Sequence, residues 1–314
     1  MPSTQNNIVH PGDPLVKKYL LAVRPMFLTA SLLPVLLGTA IGFRNSGQLD
    51  VTAFILALFS VLLAHAGINV LNDVYDDLNG TDRFNTERIF PFTGGSQFIQ
   101  DEILTNRQMR RWGQMLLAMS AVLGVALIIH KGAMVLAFGV TGLILGVTYS
   151  APPIKLASRG LGESAVGIGF GVLPVVGAAW LQTEQFSWEA LMISIPVSIW
   201  VANILLINEV PDCSADARAE KNTLVVKFGL KFTALLYLLL SVIAVAVLTW
   251  AAVLNYLSVL ALTLSVLLLV PAIIAMRGIL SWKDKPELME GAIKMTLTIH
   301  AVNCVWLLIW YVGS

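Results

Sequence analysis

The sequence predicts an all-α fold, a polytopic membrane protein with nine transmembrane helices around a central cavity. The helices read as two pseudo-repeated four-helix sets plus a ninth helix. Three observations carry this. Of 314 residues, 57% are hydrophobic and only 12% charged, against roughly 25% charged in an ordinary soluble domain, and the mean hydropathy is +0.78. Apolar runs of about 20 residues, the length that crosses a hydrocarbon core, recur along the whole chain. The segments between them alternate between long polar stretches and short, nearly uncharged turns. So apolar a chain excludes a soluble enzyme, a disordered tail protein and a nucleic-acid binder.

Taken in order, residues 1–19 are polar through Lys18 and read as a cytoplasmic N-terminal segment. The run after it is too long for a cleaved signal core and reads as a retained span. The first four-helix set occupies 20–149, with runs at 20–43, 51–71, 112–130 and 133–149. The second occupies 161–275, with runs at 161–181, 189–207, 232–250 and 254–275, and the ninth run is 291–312. Stretches such as Leu235 to Leu248 lack the polar stripe that a surface helix of a soluble protein shows. Pro174, Pro196 and Pro271 fall inside runs and mark kinks. The glycines from Gly162 to Gly177 suit close helix contact. The whole of 1–314 reads as one transmembrane domain.

Nine spans put the N-terminus and the polar segments 72–111, 150–160, 208–231 and 276–290 on one side. Of 20 basic residues only Arg44 and Lys131 fall on the other side. The positive-inside rule makes the basic side cytoplasmic, in an inner or cell membrane. Of 19 acidic residues only Asp50, Glu184 and Glu189 lie outside. That rule does not require acids to segregate, so they need a local reason. Two cysteines and four histidines without ligand spacing leave carboxylates as the only material for a metal site.

Two acidic motifs supply the reason. The first runs from Asn69 through Asn72, Asp73, Asp76 and Asp77 to Gly80 and Asp82. Asn69, Asn72 or Asp73, and Asp76 follow helical spacing and share a face; Gly80 turns the chain and lets Asp82 return. The second holds Asn208, Glu209, Asp212 and Asp216. Asp212 and Asp216 share a face if that segment is helical, and like charges so placed repel unless a cation lies between them. Oxygen-only ligands suit Mg²⁺, with Mn²⁺ as the substitute. A solvated acidic loop would explain either motif alone. The two occupy equivalent places in the two sets, however, which suggests a parallel repeat with clusters facing each other. Arg88, Lys155, Arg159, Arg218 and Lys221 flank them, either completing an anion site or anchoring the chain at the membrane surface. The combination points to a diphosphate ester with a hydrophobic tail. A transporter would place its ionisable groups near the bilayer midplane instead.

At these motifs the chain resembles the UbiA superfamily of intramembrane aromatic prenyltransferases, and most closely its MenA branch, the 1,4-dihydroxy-2-naphthoate polyprenyltransferases of menaquinone synthesis. The resemblance spans essentially the whole chain. It rests on Asn72-x3-Asp76-x5-Asp82, on Arg24-Pro25 with Pro34-Val-Leu-Leu-Gly38-Thr, and on Pro91-Phe-Thr-Gly-Gly-Ser96 with Gln100. Tyr149-Ser-Ala-Pro-Pro-Ile-Lys155 and Lys221-Asn-Thr-Leu-Val-Val with Gly229 are similar too. Pro211 stands where many relatives carry Arg, Arg218 is one place late, and Gln97 replaces a frequent Arg.

The resemblance implies Mg²⁺-dependent transfer of a prenyl group from a polyprenyl diphosphate to a small aromatic acid within the lipid bilayer, 1,4-dihydroxy-2-naphthoate with decarboxylation first and a 4-hydroxybenzoate, homogentisate or tetrapyrrole acceptor as the alternative. It implies no nucleic acid and no obligate protein partner. On that reading Asn72, Asp76, Asp82, Asp212 and Asp216 hold metal. Asp73, Asp76 and Lys155 are the catalytic candidates, and Arg88, Lys155, Arg218 and Lys221 bind diphosphate. Asn69, Tyr75, Tyr149, Arg159 and Asn208 face the acceptor or the allylic cation, with helix packing the alternative role for each tyrosine. His65 shares the face of Asn69 and Asn72 and reads as a hydrogen-bonded core histidine before a ligand or base.

Overall fold

The computed structural model describes residues 9–313, so residues 1–8 of the predicted N-terminal segment lie outside the described residues. A short helix α1 (Leu15–Ala22) and a 3-10 turn lead into α2 (Thr29–Ser46). Then come α3 (Val51–Asn79), the one-turn α4 (Thr81–Phe84), α5 (Asn106–Lys131) and α6 (Met134–Ser150). The second half comprises α7 (Gly162–Val166), α8 (Leu173–Thr183), α9 (Trp188–Arg218), α10 (Leu224–Val253), α11 (Val259–Leu267), α12 (Leu269–Leu280) and α13 (Glu287–Gly313). The described residues contain no strand.

Eight stretches among the described residues are long and apolar enough to cross a membrane, with α7–α8 and α11–α12 each counted as one. The predicted fourth run forms α6, an apolar helix of 17 residues, about 26 Å long against a hydrocarbon core of about 30 Å. The expected count of nine therefore becomes eight full-length spans and one shorter helix.

The predicted polar segments at 72–111 and 208–231 both begin as helix. α3 runs on to Asn79 and α9 to Arg218. Backbone i→i−4 bonding continues regardless of side-chain polarity, so hydropathy ends each run before the helix does. Asp50, Ser187, Thr223 and Ser258 accept from Ala53, Ala190, Val226 and Ala261 to cap α3, α9, α10 and α11. Proline bends the interior. Pro174 cannot donate to the carbonyl of Phe170, and a π-helical turn over Gly167–Val172 takes up the mismatch between α7 and α8.

The largest apolar core joins α2, α8, α9, α10, α12 and α13, and a smaller one lies between α1, α3 and α5. Charges at the end away from the acidic motifs pair off. Arg44 meets Glu189 at 3.3 Å, and Lys131 meets Asp50 at 2.9 Å and Glu184 at 3.0 Å.

The approach of α2 to α8 depends on a missing side chain. A Cβ on Gly38 would run into the backbone carbonyl of Val175. Gly38→Ala is expected to destabilise by roughly 1–3 kcal/mol through overpacking, seen as a lower melting temperature in detergent. Gly139→Ala, with nothing within 4 Å of the added carbon, should leave melting unchanged.

Candidate active site

The acidic motifs meet at one cavity of about 210 Å³, walled by α3, α6, the α7–α8 span and α9 and closed over by the loop after α4. Along α3, His65, Asn69, Asn72 and Asp76 all reach it, as residues at i, i+4, i+7 and i+11 on one helical face do. Gly80 (φ 86°) ends α3 in the left-handed region. Thr81 then donates through its backbone N–H and its hydroxyl to Asn79 Oδ1, at 2.9 and 2.7 Å. That turn carries Asp82 back to the cavity, where it is only 4% exposed. From α9 come Asn208, Glu209, Asp212 and Asp216.

The loop over 85–97 fastens the two motifs together. Asn85 donates from Nδ2 to Asp212 Oδ1 at 2.6 Å, and the backbone N–H of Gly94 donates to Asp212 Oδ2 at 3.0 Å. Ser96 donates its backbone N–H to Asp73 Oδ2 at 3.0 Å. Gln97 donates to the carbonyls of Asp82 and Gly94, at 3.2 and 2.8 Å. Gly95, at φ 66°, must be glycine on two grounds. Its backbone is left-handed, and a Cβ would lie 2.9 Å from Asp73 Oδ1 and 3.1 Å from Asp82 Oδ2.

Lys221 closes the gap between the clusters. Its ammonium lies 3.5 Å from Asp76 Oδ2 and 3.5 Å from Asp216 Oδ1. Burial opposes its charge, but Asp216 and Asp76 outweigh that and hold the ammonium well above the ordinary lysine range. Burial, and then the charges of Asp76 and Asp73, push the Asp82 carboxyl well above the usual carboxylate range. One lysine does not balance this set. Buried oxygens of Asp73, Asp82 and Asp216 accept no hydrogen bond. Such orphaned carboxylate oxygens fit divalent cations. No three His, Cys, Asp or Glu side chains among the described residues converge to enclose a cation by themselves.

Other predicted residues stand elsewhere. Asp73, 2% exposed, lies behind the cavity wall and holds the 94–96 turn, because it is turned about 100° from Asn72 on the helix. Tyr75 borders a separate small pocket with Leu71 and Leu117, so α5 packing occupies it. Lys155, Arg159 and Arg218 do not line the cavity. Lys155 takes a left-handed backbone at the head of a 3-10 turn. Arg159 donates to the carbonyl of Pro153 at 3.1 Å, and Arg218 is exposed at the end of α9. Arg88 sits beside the cavity in the 85–97 loop; burial lowers its pKa while Asp101, Asp82 and Asp212 favour its charge. Asp77 is structural, accepting from Arg83, Gln100 and Asn106.

Tyr149 lines the cavity. His65 does too, with Nδ1 2.6 Å from Ser31 Oγ and its ring stacked on Phe170 at 4.0 Å. Residues without an assigned role also enter. Arg24 lines the cavity, donates to the Phe92 carbonyl at 2.8 Å and sits over the Phe27 ring. Its signal is a charged residue at the head of the first apolar run. Asn85 and the Gly94 amide carry none, since their partner Asp212 is more than a hundred residues away.

Comparison with known proteins places this geometry. The 2-carboxy-1,4-naphthoquinone phytyltransferase of Synechocystis sp. is 27% identical over 286 residues, 90% of this chain and 89% of that protein. The 1,4-dihydroxy-2-naphthoate octaprenyltransferase of Haemophilus influenzae is 30% identical, over 77% of this chain and 80% of that one. The fold matches that of a UbiA homolog from Archaeoglobus fulgidus bound to GPP and Mg²⁺, with a TM-score of 0.65 over 95% of this chain and 100% of that one, at 21% identity. The profile of the UbiA prenyltransferase family matches residues 31–290, and with most of its length so matched the chain belongs to that family.

Proposed function

We propose that this protein transfers a polyprenyl group from polyprenyl diphosphate to 1,4-dihydroxy-2-naphthoate, releasing diphosphate and carbon dioxide. One observation carries the reading. Two carboxylate clusters with orphaned buried oxygens face a single cavity, with Lys221 between them and apolar walls below. The naphthoate acceptor is supported by the named activities of the relatives from Synechocystis and Haemophilus.

Asn72, Asp76 and Asp82 would hold Mg²⁺ on one side, and Asp212 and Asp216 on the other. Bound there, the metal supplies positive charge that neutralises a departing diphosphate. Lys221 meets the diphosphate oxygens directly, with Arg88 in the 85–97 loop as a second cation, and stabilises charge as it develops on the leaving group. The prenyl tail lies along Ile68, Leu145, Phe170, Ile204 and Leu205. Tyr149 and His65 offer ring faces to the allylic carbon. Arg24 is placed to pair with the acceptor's carboxylate. The bias of basic residues puts the cavity mouth at the cytoplasmic face.

An acceptor panel tests the central claim. Purified protein with a polyprenyl diphosphate should consume 1,4-dihydroxy-2-naphthoate and release carbon dioxide; turnover of 4-hydroxybenzoate alone would sink the acceptor assignment. Asp76→Asn and Asp216→Asn should each lower kcat by about 10²–10³-fold, the range seen when transition-state charge stabilisation is removed, without a fall in melting temperature. Asp77→Asn should do the reverse, lowering melting while leaving kcat near wild type. Treatment with EDTA should abolish turnover, and added Mg²⁺ should restore it with Mn²⁺ as a partial substitute. Turnover that survives chelation would end the metal assignment.

A further inference from the structure

Two buried carboxyl groups, one of them lining the cavity, are left without a part in diphosphate binding. Glu209 sits on α9 one turn before Asp212, lines the cavity and is 6% exposed. Its strongest charged neighbour is Glu163, which is also 6% exposed and lies in the first turn of α7. Glu209 Oε2 accepts no hydrogen bond, and neither does Asn208 Oδ1 beside it in the same wall.

Two open acceptors at one place ask for a ligand that brings donors. A diphosphate brings none and is repelled by a carboxylate. A dihydroxy aromatic acid brings two O–H groups. Depth agrees. Three residues of helix place Glu209 about 4.5 Å further into the bundle than Asp212, on the side where the carbon bonded to the diphosphate would lie. Asp216, Lys221 and Tyr149 are its other charged or titratable neighbours.

We propose that Glu209, beside Glu163, is the proton acceptor for a hydroxyl of the aromatic substrate. This rests on the prenyl-transfer reading above. As the ring attacks, the O–H bond breaks and its proton passes to Glu209 Oε2. The oxygen's electron pair forms a carbonyl, and a ring π pair forms the new bond to the prenyl carbon. The electrons of the prenyl C–O bond leave with the diphosphate. When carbon dioxide departs, the pair from the broken C–C bond restores the ring, and Glu209 returns its proton to the oxygen. Glu209 therefore ends the cycle as it began, and no outside acid or base is consumed. Glu163, beside it on α7, is a positioning residue.

The test uses the full-length protein in lipid nanodiscs with a polyprenyl diphosphate, Mg²⁺ and 1,4-dihydroxy-2-naphthoate. Glu209→Gln should lower kcat by about 10²-fold or more, as loss of a general base does, while binding of a non-hydrolysable prenyl thiolodiphosphate stays at the wild-type level. The deficit should shrink with a ring-halogenated dihydroxynaphthoate whose hydroxyl is more acidic, a response that loss of packing does not produce. Glu163→Gln, which still offers a donor to Glu209, should keep most of the turnover, whereas Glu163→Ala should fall by about tenfold, as when a buried partner is removed. Full Glu209→Gln turnover beside an active wild type would overturn this inference and leave prenyl transfer standing. So would a Glu209→Gln deficit independent of acceptor acidity. If Glu209→Gln does not fold, equal turnover by the two Glu163 variants would overturn it. A wild type inactive with every dihydroxy acceptor would remove the prenyl-transfer reading and this inference with it.

Discussion

Carboxylates from two helices face each other inside an apolar bundle, and the rest of the structure is arranged around holding them there. Like charges in a poorly polarisable surrounding repel strongly and lose their hydration. Unrestrained, α3 and α9 would part at this end. Three things oppose that: the donors of the 85–97 loop, the ammonium of Lys221 between Asp76 and Asp216, and the packing of α9 into the main apolar core. The remaining imbalance of charge is what makes the site a receptor for cations and, through them, for an anionic head group.

The two ends of the bundle handle charge in opposite ways. Away from the cavity, Asp50, Glu184 and Glu189 each meet a basic side chain, and Tyr311 adds a hydroxyl to Glu189 at 3.0 Å. Those groups tie helix ends together and leave nothing to bind. At the cavity end, acids outnumber the bases that reach them. Stability at one end and chemistry at the other follow from that difference in pairing, although the net charge of +1 conceals both.

Much of the fold was legible because hydropathy and basic-residue bias act locally and accumulate over long runs. The cavity-facing set of Asn69, Asn72, Asp76, Asp82, Asp212 and Asp216 was legible for a related reason, since helical spacing alone puts such residues on a face. What spacing could not resolve was the neighbour one step round the helix. Asp73 differs from Asn72 by about 100°, and that turn moves it from the cavity to the loop behind. Lys155, Arg159 and Arg218 lie off the cavity for another reason. Their backbones lie at a left-handed residue, a 3-10 turn and a helix terminus, where no periodicity says which way a long side chain points. The contacts of Asn85 and Gly94 with Asp212 join residues distant in sequence, so nothing local announces them. Arg24 and Glu209 stand in recognisable motifs and Glu163 in none, but only the folded chain shows that the first two line the cavity and that Glu163 is buried.

The turn over Gly94 to Ser96 grips Asp212 and Asp73 with main-chain N–H groups. Every amino acid except proline supplies that donor, so drift in side chains cannot delete these two bonds; it can only reshape the turn that aims them. The walls beneath are different, being made of side chains whose every exchange alters the shape of the cavity. Heritable variation in this molecule is thereby divided by chemistry. The part that anchors the two aspartates is written in backbone and resists substitution, while the part that meets the acceptor and the tail is written in side chains and is free to be revised.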